Sequence, residues 1–231
     1  MPVREPDAPS VPAARCAGLT VDYRTATEVV HALHDVDATF GRGRLSVVAG
    51  PSGSGKSSLL RTLAGLQRAR AGVVEVDGVD LARLRAGAVR RLRRRVLGVV
   101  LQDPADNLLE YLRAVEQVEL AARLRGSDPG EAAGLLDVVG LGDRARSYPD
   151  ELSGGEQQRV AFAAAAAGRP AVLLADEPTA ELDAAAGAAL VASMRGLVDG
   201  GASLVVSSHD PAVIAAADDV VWLRDGEVER R

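Results

Sequence analysis

The stretch Gly50-Pro51-Ser52-Gly53-Ser54-Gly55-Lys56-Ser57 constrains the fold of this chain more than any other. An apolar run, Leu45–Ala49, leads into it, and Leu59, Leu60, Leu63 and Leu66 recur behind it at helical spacing. A strand that turns through glycines into a helix gathers backbone N–H groups that have no partner of their own. Glycine takes up the backbone conformations that the turn needs, and the helix contributes the positive end of its dipole. The stretch fits the phosphate-loop pattern G-x-x-x-x-G-K-[ST] in full, which implies a bound polyphosphate. Lys56 is then expected to reach the β- and γ-phosphates and Ser57 to ligate Mg²⁺, with Gly50, Ser52, Gly53, Ser54, Gly55 and Ser58 completing the cradle. A plain glycine- and serine-rich turn with a solvated lysine is the competing reading, and the flanking strand and helix argue against it. Kinases, GTPases and motors share the pattern, so by itself it implies nucleotide binding and nothing narrower.

The rest of the chain extends this start. Val96–Leu101, Ala171–Ala175 and Ser203–Ser207 are further apolar runs with polar or glycine borders, separated by stretches of helical spacing. Short continuous apolar strands between helices predict an α/β fold with a mostly parallel sheet covered on both faces. Residues 103–148 lack strand patterns, while Val115–Leu124 and Glu131–Val139 carry helical spacing, so a helical subdomain is expected at about 103–160, inserted in the core. Residues 1–15 mix four prolines with charges and are expected to form a disordered tail, leaving 16–231 as one domain. No stretch approaches the roughly 18–20 apolar residues that span a bilayer. Cys16 is the only cysteine, which excludes an internal disulfide and suits a reducing cytosol. A formal net charge of −5 argues against nucleic acid as the main partner. A cytoplasmic location is therefore expected, with any membrane role supplied through a partner.

Two further motifs narrow the chemistry. Ala171-Val-Leu-Leu-Ala-Asp176-Glu177 is an apolar strand that ends in adjacent carboxylates, which a strand aims in different directions. Asp176 can hold Mg²⁺ while Glu177 faces an attacking water as general base. Leu152-Ser153-Gly154-Gly155-Glu156-Gln157-Gln158-Arg159 has Ser153 and Glu156 spaced as a capping box, and its glycines leave the helix start bare, a second anion site.

That last stretch resembles the signature of the ATP-binding-cassette (ABC) ATPases, and the resemblance covers nearly the whole chain from about Cys16 onward. It implies a phosphate-loop NTPase fold with a RecA-like, mostly parallel core, a small antiparallel β subdomain and a helical subdomain. It also implies a head-to-tail homodimer, in which Ser153, Gly154, Gly155 and Glu156 of one subunit cover the ATP held by the phosphate loop of the other. By the same resemblance, Gln102 contacts Mg²⁺ and the attacking water, His209 senses the γ-phosphate, and Asp183 communicates across the dimer. Tyr23 is placed to stack on adenine, with core packing of a strand tyrosine as the competing reading. The implied activity is ATP hydrolysis that drives an integral membrane permease, with the ATPase peripheral on the inner face of the membrane.

The link from Tyr23 to Leu33 and the stretch Gln102…Asn107-Leu-Leu109 resemble the branch serving lipoprotein release, macrolide export and the cell-division complex. An importer subunit and a soluble ABC ATPase of DNA repair or translation are the alternatives. The soluble class is disfavoured by the short spacing between phosphate loop and signature and by the single cassette. Two positions depart from the family pattern: Ala164, where relatives usually carry arginine, and Glu181. Finally, Arg83, Arg85, Arg90, Arg91, Arg93, Arg94 and Arg95 crowd one stretch, read either as a solvated helix face or as a surface for anionic headgroups.

Overall fold

The structure, a computed structural model, describes residues 11–24 and 29–229. Its strands in chain order are β1 (Ala14–Arg24), β2 (Val29–Phe40), β3 (Leu45–Ala49), β4 (Ala71–Val76), β5 (Val79–Asp80), β6 (Leu97–Val100), β7 (Val172–Asp176), β8 (Leu204–Ser208), β9 (Asp219–Arg224) and β10 (Glu227–Val228). The helices are α1 (Lys56–Leu63), α2 (Ala86–Val96), α3 (Ala114–Arg125), α4 (Ala132–Val138), α5 (Gly154–Ala166), α6 (Ala184–Asp199) and α7 (Pro211–Ala215).

The central sheet has the order β10-β9-β3-β8-β7-β6. Its ladders from β9 to β6 are all parallel, and only β10 pairs antiparallel, as an edge hairpin. The α/β architecture expected from the sequence is the one observed. A strand alternates its side chains, so each buried strand feeds two cores. Leu45, Val47 and Ala49 join Leu173, Ala175, Leu204 and Val206 on the face covered by α3, α4, α5, α6 and α7. Val48, Val172, Leu174 and Val205 enter the opposite core, with Leu59, Leu60 and Leu63 of α1 and residues of β1, β2 and β4. That second layer is the antiparallel sheet β2-β1-β4-β5. Burial also pushes the thiol of Cys16, in β1, up to about 11, so it is an inert core group.

Several borders differ from the sequence expectation. The expected tail through residue 15 gives way to β1 at Ala14, because the Ala13 amide donates to Phe40 O and Ala14 pairs with both Phe40 and Val76. The remainder of that expectation, residues 1–10, lies outside the described residues. The link from Tyr23 to Leu33 is mostly strand: Val29, Val30, His31 and Leu33 pair with β1, and residues 25–28 lie outside the described residues. Leu66 falls beyond α1 and is exposed, since the chain turns at Gly65 with φ 64°. Leu101 leaves β6 because its N–H and C=O are taken by the Asn107 side chain. Between β6 and β7 the described elements are all helices, joined by loops, and the expected border at residue 160 falls inside α5. Among the described residues no helix is long and apolar enough to cross a membrane.

Candidate functional site

The phosphate loop joins β3 to α1. Gly55 precedes the helix with φ 101°, and a Cβ there would overlap Ala32 O and the Leu33 side chain of β2, so only glycine fits. Among the described residues the amides of Gly53, Gly55, Lys56 and Ser57 donate no backbone hydrogen bond. These are the free donors a phosphate cradle needs. Lys56 Nζ is buried; it donates to Gly50 O at 2.9 Å and Pro51 O at 3.0 Å and lies 3.2 Å from Glu177 Oε1. Ser54 Oγ, also buried in the loop, has no partner among the described residues.

Opposite the loop stands the end of β7. Parallel registration with β8 sets Asp176 beside Ser207. Asp176 Oδ1 accepts from Ser57 Oγ at 2.9 Å and from Ser207 Oγ at 2.5 Å. Glu177 leaves the strand with φ 44°, a left-handed conformation that non-glycine residues rarely adopt and that clusters at functional sites. Its amide donates to Ser207 O at 3.1 Å and to Ser207 Oγ at 3.0 Å. His209, just beyond β8, contacts Glu177 Oε2 through Nδ1 at 3.0 Å. Thus Lys56, Ser57, Asp176, Glu177 and His209 converge on one point. Ser207 was missed as a site residue in the sequence, although Ser-Ser-His at a strand end was visible; its role depends on the β7–β8 register.

Gln102 is exposed on the loop after β6, where Leu101, Gln102, Asp103 and Asp176 line a cavity of about 360 Å³ together with Glu181. The loop is braced by Asn107, whose Nδ2 donates to Leu101 O at 3.0 Å and Asp103 O at 2.8 Å. Gln158 of α5 also donates to Leu101 O, at 3.2 Å. Gln158 therefore ties the glutamine loop to the signature helix, a link that its sequence position did not reveal. Tyr23 packs against the core beneath the antiparallel sheet, and its hydroxyl donates to Ser58 Oγ at 3.3 Å.

The capping box at α5 is present. Ser153 N and Oγ donate to Glu156 Oε2 at 2.8 and 2.9 Å, and Glu156 N returns a bond to Ser153 Oγ at 3.3 Å. These donors hold the Glu156 carboxyl below the ordinary glutamate value, the Ser153 amide foremost, with Arg144 and Arg159 adding to it. Gly154 is exposed with open space where a side chain would stand, and Gly155 packs against Ala186 of α6. Among the described residues the side-chain hydrogen bonds of Ser153 and Glu156 stay within this segment and do not reach the phosphate loop. Asp183 caps α6, accepting from Ala186 N at 2.8 Å. Among the described residues no three of His, Cys, Asp and Glu gather to hold a metal by themselves. Ser57 and Asp176 supply two hard oxygen donors, which suits a Mg²⁺ ion that takes its other ligands from phosphate and water.

Fold and site together define a phosphate-loop nucleotide-binding domain of the α/β class. Residues 33–180 match the family described as ABC transporter. The chain is 38% identical over 221 residues to the macrolide export ATP-binding/permease protein MacB 1/2 of Paracoccus denitrificans (strain Pd 1222), covering 94% of this chain and 33% of that protein. It is 39% identical over 212 residues to MacB of Escherichia coli (strain K12), covering 90% of this chain and 32% of the relative. It spans about a third of the length of these curated relatives. Among solved structures it superposes with a TM-score of 0.82 and 33% identity on the dimeric ATP-binding cassette MJ0796 in a post-hydrolysis state bound to ADP and Pi, covering 94% of this chain and 97% of that one. The chain belongs to the ABC transporter family, as an ATP-binding domain.

Proposed function

We propose that this domain hydrolyses ATP as a head-to-tail homodimer on the inner face of the membrane, driving an integral membrane permease in an exporter of the macrolide-export and lipoprotein-release branch. The carrying observation is the convergence of Lys56, Ser57, Asp176, Glu177 and His209 on one point, while a second bare helix start, Ser153–Gly155, has no phosphate loop of its own chain against it. Two such helix starts within one subunit are both used when two subunits pair around two nucleotides. The relatives named for macrolide export support the exporter reading, and the dimeric cassette supports the pairing. We read the chain as one cassette from residue 16 onward, with its helical subdomain at about 103–160 facing the permease.

In this reading the free amides of Gly53, Gly55, Lys56 and Ser57 hold the β- and γ-phosphates, Ser52, Ser54 and Ser58 line the same cradle, and Tyr23 lies against adenine. Ser57, Asp176 and Gln102 would hold Mg²⁺, which when bound would supply positive charge beside the phosphate oxygens. Lys56 exchanges its contact with Glu177 for phosphate oxygen, which frees the Glu177 carboxylate to take a proton from water. His209 keeps that carboxylate oriented through Oε2. Asp183, at the start of α6, faces the partner subunit.

Glu177→Gln tests this. With Mg-ATP the variant should hydrolyse about 10²–10⁴-fold more slowly and elute as a dimer in size-exclusion chromatography. Hydrolysis at the unaltered rate, or a monomer at saturating Mg-ATP both alone and with the permease present, would sink the proposal. Gentle solubilisation of membranes from cells carrying a tagged chain should recover a permease with it.

A further inference from the structure

Helix α2 lies on the surface, with Val96 at its end packed against the core. It has no buried residue. Between Leu81 and Gln102 the sequence carries seven arginines and no acid. Arg83 pairs with Asp80 from the preceding strand. The other six, Arg85, Arg90, Arg91, Arg93, Arg94 and Arg95, make no ion pair among the described residues. In a chain with formal net charge −5 this is strong segregation of charge. At 3.6 residues per turn the five from Arg90 to Arg95 spread over roughly 200° of the helix perimeter, so they form a convex cationic flank and not a pocket with one fixed geometry.

Beside this flank runs a groove of about 650 Å³ between α2 and α3. Its apolar lining is Leu97, Val99, Ala121 and Leu124, and Arg90, Arg91, Arg93 and Arg94 line it beside them. Arg125 also lines it; its Nη atoms donate to Ala164 O, Ala167 O and Leu97 O, and its Nε has no partner among the described residues. Cations next to apolar carbon are the complement of an anionic amphiphile. Guanidinium suits phosphate, which it can bind through two N–H groups at once. Single-stranded nucleic acid would call for stacking side chains, and none lies between Phe40 and Tyr111. A folded acidic partner would fix its arginines in matching pairs, whereas these have no neighbouring acid to set their rotamers.

We propose that α2 and the α2–α3 groove form a docking surface for an anionic lipid bilayer, with headgroup phosphates on the arginines and the glycerol region of the lipid on the apolar lining. The surface lies away from the chemistry, since α2 runs directly into the first residue of β6 and Gln102 follows the other end of that strand. The inference holds independently of the transport reading and is measured without a permease.

The experiment is co-sedimentation of the chain with vesicles of phosphatidylglycerol mixed into phosphatidylcholine, against vesicles of phosphatidylcholine alone. Binding is expected to the anionic vesicles only and to fade at high salt. Combining Arg90→Ala, Arg91→Ala and Arg94→Ala should lower the partition coefficient roughly five-fold per arginine removed. Arg15→Ala, which removes an arginine already paired with Glu75, should leave it nearly unchanged. Equal binding to both vesicles, binding to neither, or an equal loss in the Arg15 variant would overturn the proposal. So would tighter retention on duplex DNA than on vesicles at the same salt. ATP hydrolysis measured on the same samples keeps the two readings separate: vesicle binding without hydrolysis would leave this surface standing and sink the enzyme.

Discussion

Glu177 carries three burdens at one position. Its backbone occupies the left-handed region, its Oε1 neighbours the buried Lys56, and its Oε2 meets His209. The Lys56 contact neutralises a cation that would otherwise sit in the interior unpaired, a costly state. In the proposed mechanism an arriving phosphate would take over that role from the carboxylate, so binding and activation of the base would be one event. His209 is different, because its side chain is 68% exposed and nothing in the core rests on it. His209→Ala should therefore shift stability by no more than about 0.5 kcal/mol while slowing hydrolysis by roughly 10² or more. Thermal melts beside steady-state phosphate release check both halves, and a variant that melts early would show the histidine to be structural. Most of these residues were legible in the sequence because glycine spacing, paired acids and a capping box are local chemistry. Ser207 was not, since its hydroxyl matters only after β7 and β8 have come into register.

At the scale of elements, α5 links the glutamine loop to the signature. It lies so close to β6 that a Cβ on Gly98 would overlap Ala165 O and the Leu173 side chain. Backbone cannot yield as a flexible side chain does, so Gly98→Ala should cost about 1–3 kcal/mol. The variant should melt lower and lose hydrolysis in proportion, because α5 also carries Gln158 on Leu101 O. An unchanged melting temperature would show that the helix can slide. The parallel strands were readable because β3, β7 and β8 are nearly all buried and hence continuously apolar. The antiparallel layer was expected from resemblance alone, and its borders were not legible. Register shifts along β1 break the alternation that would have marked it, and the outer half of β2 is exposed.

The whole molecule presents two glycine-flanked helix starts, the phosphate loop and the signature, which no hydrogen bond among the described residues joins. Gly154 has open space around it, so Gly154→Asp is compatible with the monomer yet sets a negative charge where a partner's phosphate would lie. That variant should keep ATP binding and lose ATP-dependent dimerisation. Lys56→Ala should fail for the opposite reason, and mixing the two should restore a share of hydrolysis, since one site of the mixed pair is intact. No recovery in the mixture would mean that each subunit works alone. Lys56 is also the only lysine in the chain, every other long basic side chain being arginine. Apart from the α-amine, an amine-selective acylating reagent has a single address here, and at 6% exposure it lies behind Glu177 at the floor of the phosphate loop. Labelling would track how often that loop opens and would fall silent when it is filled, so the domain carries its own chemical gauge of occupancy.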